Sequence, residues 1–289
     1  MYSSTTPTQP TQPLSGPGGQ SYVCDSVRFQ DFAQKADGYW LFEPQSPDID
    51  SAHLVVFLHG YGAYNPMIYG DWIEHLVKKG NIVVFPRYQK NLISPRASKF
   101  PRNAAKAIRD VITELQTPGH VRPITSHLTL IGHSYGGVIA ANLSVNYEQY
   151  QIPQPKAALL CSPGSGPLKG ARLDSYHQLP EDLNLLVMVS EYDYVVGTEF
   201  GLLVYETAIH TPHRNLLVQR RDTYGKPAVN AGHNETYSFN KAYDSGNFNW
   251  TAQRAERVSK LDVVDFYGYW KLADALMDFT RDGVNVEYC

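Results

Sequence analysis

The chain has 289 residues, 43% hydrophobic and 18% charged, with a formal net charge of −3. That length and apolar content allow two small domains or one large α/β domain with a substantial core. The near-neutral charge lacks the clustered Lys and Arg that nucleic-acid binding needs, and no apolar run approaches the ~20 residues that span a bilayer.

Residues 1–23 hold no charged side chain and run through Pro7, Pro10, Pro13 and Pro17 among Thr, Gln, Ser and Gly. Such a segment buries too little apolar surface to offset its ordering entropy, so a disordered or polyproline-like tail is expected before one domain over 24–289. It has neither the basic start nor the apolar stretch of a signal peptide. A Thr/Pro/Gln-rich stalk often follows a cleaved export signal, so a secreted or periplasmic location is expected, with a cytoplasmic one as the alternative. Cys24 and Cys289 bracket the domain, and a bridge between them or three unpaired thiols both remain open. Cys161 ends an apolar run and reads as a buried, inert thiol.

From about residue 36, β-rich runs alternate with helical patterns. The strand candidates are Gly38–Phe42, Leu54–Leu58, Ile82–Phe85, Leu128–Ile131, Ala157–Leu160, Leu185–Val189 and Leu216–Val218. The later ones are unbroken apolar blocks, as strands covered on both faces require. Helical spacing marks Met67–Lys79, Asn103–Leu115, Tyr135–Tyr147, Glu199–Ile209 and Phe266–Phe279. This alternation predicts one doubly wound α/β domain on a mostly parallel sheet. The stretch Ser162–Asn184 is short and rich in Pro and Gly. No large cap domain is expected there, and the cleft should be open.

Gly132-His133-Ser134-Tyr135-Gly136 lies between a predicted strand and a predicted helix. A serine on such a tight turn, with small residues two positions either side, stands above the carboxyl end of the sheet as a candidate nucleophile. A hydroxyl needs a base, and the base needs an orienting acid. Asp193, just after the strand Leu185–Ser190, is the candidate acid, with Glu191 as its rival. Among ten histidines, His233 sits in a Gly-preceded loop after the last strand and follows the acid in order, so it is the candidate base. His53, His75, His120 and His127 precede the nucleophile without a motif and read as surface or strand-edge residues. His210 and His213 are spaced as a metal pair could be but lack an evident carboxylate partner, so no metal site is assigned. The loop His59-Gly60-Tyr61-Gly62 lacks the third glycine of a dinucleotide fingerprint and the Lys-Ser/Thr of a phosphate loop. The backbone N–H groups of Tyr61 and Tyr135 are instead the candidate oxyanion-hole donors.

Together these motifs resemble the α/β-hydrolase superfamily over roughly residues 36 to 282. His59–Gln89 looks most like the dienelactone-hydrolase, chlorophyllase and polyester-hydrolase (cutinase-type) groups. The Tyr after the nucleophile departs from the Met or Gln usual in polyester hydrolases. The resemblance implies hydrolysis of carboxylic esters, small or polymeric, without a cofactor. Thioester or amide cleavage by the same groups, or a silent binding module, are the alternatives. Tyr64 and Trp250 are expected to border the cleft, the latter within a long aromatic segment, 234–262, after the base. No membrane span or nucleic-acid partner is expected, and a monomer is favoured. Asn142, Asn234 and Asn249 each begin an N-x-S/T triplet, and a glycan at Asn234 would obstruct the site.

Overall fold

The computed structural model describes residues 6–93, 95–285 and 287. The strands are β1 (Ser26–Asp31), β2 (Tyr39–Gln45), β3 (Ser51–Leu58), β4 (Asn81–Pro86), β5 (Arg122–His133), β6 (Pro155–Cys161), β7 (Asn184–Ser190) and β8 (Arg214–Gln219). The helices are α1 (Gly70–Lys78), α2 (Phe100–Glu114), α3 (Tyr135–Val145), α4 (Tyr147–Tyr150), α5 (Glu199–Thr207), α6 (Trp250–Val258) and α7 (Trp270–Asp282). One sheet contains the strands in the order β1-β2-β4-β3-β5-β6-β7-β8. The β1–β2 and β2–β4 pairs are antiparallel, and the remaining pairs are parallel.

Strand periodicity sorts the apolar residues into two cores. Leu54, Val56 and Leu58 of β3 join α2, α3 and α5 on one face, while Val55 and Phe57 join α1 and α7 on the other. Both faces are covered, so the central strands need apolar residues at every position. α3 is apolar nearly all round, and it is buried from Tyr135 to Ser144 between α2 and the sheet. The expected doubly wound fold is present. Between β6 and β7 the only regular element is a short turn at Lys169–Ala171, so no helical cap is inserted there. No helix among the described residues is long and apolar enough to cross a membrane.

The tail differs from expectation. Residues 6–23 lie against the body: Gly18 N–H donates to Asp274 Oδ2 at 2.8 Å, and Val23 N–H and Cys24 N–H donate to the Lys78 carbonyl. Gln9 donates to the Pro227 carbonyl. Few residues here are apolar, but prolines narrow the unfolded ensemble, and discrete polar anchors offset what ordering cost remains. One anchor includes His75, which is buried rather than superficial, with Tyr22 Oη on Nδ1 at 3.2 Å and Asp274 Oδ2 on Nε2 at 3.0 Å. Cys24 and Cys161 are free and buried. Cys289 lies outside the described residues, as does any bridge to it.

Candidate active site

β5 hands the chain to α3 through Ser134, whose φ of 55° and ψ of −121° are strained for a residue with a Cβ. The turn survives only because its neighbours are glycines. A Cβ on Gly132 would stand 2.4 Å from the Gly136 carbonyl oxygen, and one on Gly136 would stand 2.0 Å from that of Leu58. The Ser134 carbonyl accepts from Gly137 N–H and Gly164 N–H, which locks the turn to the loop after β6.

Two later loops meet this hydroxyl. Ser134 Oγ lies 2.9 Å from His233 Nε2, and His233 Nδ1 lies 2.7 Å from Asp193 Oδ2. All three residues are buried. The carboxylate partner holds the proton on Nδ1 and leaves Nε2 free to accept from the serine. Asp193 Oδ1 accepts from Val195 N–H and Val196 N–H at 2.9 and 3.0 Å. Burial pushes the Asp193 carboxyl up, but the hydrogen bond and charge of His233 together with those amides outweigh it and hold it below the usual carboxylate range. Glu191 instead turns outward and accepts from Arg221 N–H at 3.1 Å. The structure thus brings Asp193, not its rival, to His233.

The loop after β3 lies beside the same turn. A Cβ on Gly60 would come within 3.3 Å of Ser134 Cβ, which sets how closely this backbone approaches. Among the described residues, neither Tyr61 N–H nor Tyr135 N–H donates to an acceptor in the chain. The Tyr135 ring turns away, its hydroxyl donating to the Leu168 carbonyl, so only its backbone faces the turn.

Sequence reasoning missed the group that joins these loops. His133 is fully enclosed. Its Nε2 lies 2.8 Å from the His233 carbonyl oxygen, and its Nδ1 lies 2.8 Å from the Tyr69 hydroxyl. That hydroxyl also accepts from Gly60 N–H at 2.9 Å. A carbonyl can only accept, so the imidazole carries its proton on Nε2 and takes the Tyr69 proton at Nδ1. One side chain therefore ties the serine turn to the His233 loop and, through Tyr69, to the Gly60 loop. Burial and the neighbouring His233 push its pKa down to about 3, so it stays neutral in the fold. Its position inside the Gly-x-Ser motif was the available signal.

The chlorophyllase family matches residues 43–204, more than half of the chain. The chain belongs to that family. It is an esterase-type α/β hydrolase in coarse class, as the resemblance implied. No curated protein matches it. The family match contains the Tyr61 loop, Ser134 and Asp193, but it stops before His233. The His233 loop and everything after it in this chlorophyllase-family chain lie outside the match, so they rest on the sequence pattern and the structure.

Gly60, Tyr61, Ser134, Val195, Tyr237 and Trp250 border a cleft of about 300 Å³. Trp250 stands 78% exposed at its rim, in line with expectation. Tyr64 does not reach the cleft: it is buried beneath the loop, edge-on to His59 and under the Arg87 guanidinium. Sequence adjacency to Tyr61 misled here, because the turn at Gly62, with φ of 79°, reverses the chain. The 234–262 segment divides likewise. Tyr237 and Trp250 face the cleft, while Tyr243 packs inward on Phe29 and Phe42. Asn249 caps α6 by accepting from Thr251 and Ala252 N–H, and its Nδ2 donates to the Gly62 carbonyl at 2.8 Å. Asn142 is buried, with Nδ2 on the Ala171 carbonyl. A glycan on either side chain would displace these bonds.

Proposed function

We propose that the chain is a serine esterase working through Ser134, His233 and Asp193. The observation that carries this reading is the unbroken line Ser134 Oγ–His233 Nε2 and His233 Nδ1–Asp193 Oδ2, at 2.9 and 2.7 Å, at the carboxyl ends of three parallel strands. Ser134 Oγ attacks the acyl carbon as His233 Nε2 takes its proton. The oxyanion forms facing the Tyr61 and Tyr135 amides, which are preorganised because neither is spent on the chain. His233 then gives its proton to the departing alkoxide as the C–O bond breaks, leaving Ser134 acylated. Water, deprotonated by His233, attacks the acyl-enzyme and releases the acid. Asp193 stays ionised and stabilises the imidazolium throughout. The lack of a helical cap between β6 and β7 supports an open, solvent-reached cleft for esters of modest size or an exposed polymer chain. Export from the cell remains the reading of the tail composition.

An organophosphonate probe tests the nucleophile. Wild type should label stoichiometrically and Ser134→Ala should not, with ester turnover falling by ~10⁴-fold or more. Equal labelling of both proteins overturns the assignment.

A further inference from the structure

The Ser134 cleft continues beyond His233. A second cavity of about 410 Å³ adjoins it, and the two share His233, Asn234, Tyr237 and Arg254 in their walls. Their chemistry differs. Tyr61, Val195 and Trp250 make the first cavity largely uncharged, whereas Arg254, Arg257 and Lys260 make one wall of the second basic. Trp250, Arg254 and Arg257 recur at i, i+4 and i+7, so a single face of α6 presents the indole to the first cavity, Arg254 to both and Arg257 to the second.

Among the described residues, Arg254, Arg257 and Lys260 have no carboxylate within ion-pair distance. Glu256 on the same helix is paired with Lys241 at 2.7 Å. The two acids that line the cavity are engaged by backbone instead: Glu235 Oε1 accepts from Gly232 N–H at 3.0 Å, and Asp262 Oδ1 accepts from Val264 N–H at 2.9 Å. Three cations outside ion-pair distance of any carboxylate, over a concave space, form a site for an anion, and guanidinium forks suit a carboxylate.

Position decides which half of an ester meets them. The base hands its proton to the leaving alkoxide, so the alcohol half must lie on the His233 side of Ser134. The second cavity is lined by Gly232, His233, Asn234 and Glu235, the base loop itself. We propose that this cavity binds a carboxylate on the alcohol portion of the substrate, making the preferred substrates esters of hydroxy acids. The inference rests on the esterase reading above.

The test uses 4-carboxyphenyl acetate and its neutral methyl-ester counterpart, each rate divided by that of alkaline hydrolysis. At low salt the wild type should favour the carboxylate substrate by about tenfold in kcat/KM, and added salt should shrink that preference. Arg257→Gln with Lys260→Gln should bring the two substrates near parity, and Arg257→Glu with Lys260→Glu should invert the order. A corrected wild-type ratio at or below one, or a ratio blind to salt and to both double variants, overturns the subsite. Turnover that is charge-blind but abolished in Ser134→Ala sinks the subsite alone, whereas turnover that survives Ser134→Ala sinks the esterase reading. Calorimetric titration of Ser134→Ala with 4-hydroxybenzoate reads the cavity without chemistry. Binding should weaken at least about tenfold when Arg257→Glu and Lys260→Glu are added, and equal affinity overturns the proposal.

Discussion

The serine turn and the 234–262 segment border the same cleft but differ in how tightly they are packed. Around Ser134, backbone meets backbone, at distances that exclude even one methyl group on Gly132 or Gly136. The 234–262 segment adds polar side chains to backbone ties such as Ser238 N–H to the Ile68 carbonyl and Asn240 N–H to the Met67 carbonyl. Asn249 bonds the Gly62 carbonyl, Asn240 reaches Asp71 at 2.8 Å, and Ser238 Oγ receives Trp72 N–H at 3.1 Å. The difference teaches where change is tolerated. The turn admits no variation without losing its geometry, while the α6 wall can be rebuilt residue by residue and is where substrate preference can reside.

Gly136→Ala should break the comparison most severely. Its Cβ would meet the immovable Leu58 carbonyl oxygen at 2.0 Å, so destabilisation should reach or exceed the ~3 kcal/mol upper end of ordinary overpacking. Thermal unfolding reads this directly, and a melting point unchanged from wild type contradicts it.

Acid should attack the turn's scaffold next. Burial pushes His133 down to about 3 and His59 to about 4, well below an unfolded histidine near 6.5. Between those limits the unfolded chain binds more protons than the native one. Stability should therefore be complete above about pH 6.5 and fall on acidification, by ~1.4 kcal/mol per pH unit for each such histidine. Asp193, held low, adds its own loss only at lower pH, within and below the carboxylate range. Urea unfolding at pH 7, 6 and 5 measures the slope, and His133→Gln should make it shallower by about one histidine's share.

Asn249→Ala should act on the other wall, removing a helix cap worth ~1 kcal/mol together with the tie to Gly62. Because that tie steadies the Tyr61 loop, KM should rise and kcat fall by several-fold each, while organophosphonate labelling persists. Abolished labelling would mean the two walls are not separable. Trp250→Ala should have the smallest effect. The ring is largely exposed, so stability should stay within about 0.5 kcal/mol. Only KM for aromatic esters should rise, by a few-fold.

Much of this architecture is legible in the sequence. Central strands announce themselves because a doubly covered strand must be apolar at every position, and Ser134 because its turn demands small residues around it. β1 escaped notice for the converse reason. As an edge strand it carries Arg28, Gln30 and Asp31, and Arg28 pairs with Glu43 at 2.6 Å. α6 was hidden among polar residues, although Asn249 before Ala252 and Ala255 at helical spacing was a faint signal.

The sequence by itself determined the doubly wound class, the absence of a large cap and the residue types at positions 134, 193 and 233. Those follow from periodicity and from the chain order of strand-end loops, which are local or topological rules. Only the tertiary structure decided that Asp193 rather than Glu191 meets His233, that Tyr64 is buried, that residues 6–23 are seated, and that His133 joins three loops. Each of these depends on where side chains from distant segments end up in space. The basic cavity beside the His233 loop is of the same kind. Three cations near the end of a polar helix carry no message until the fold sets them beside His233.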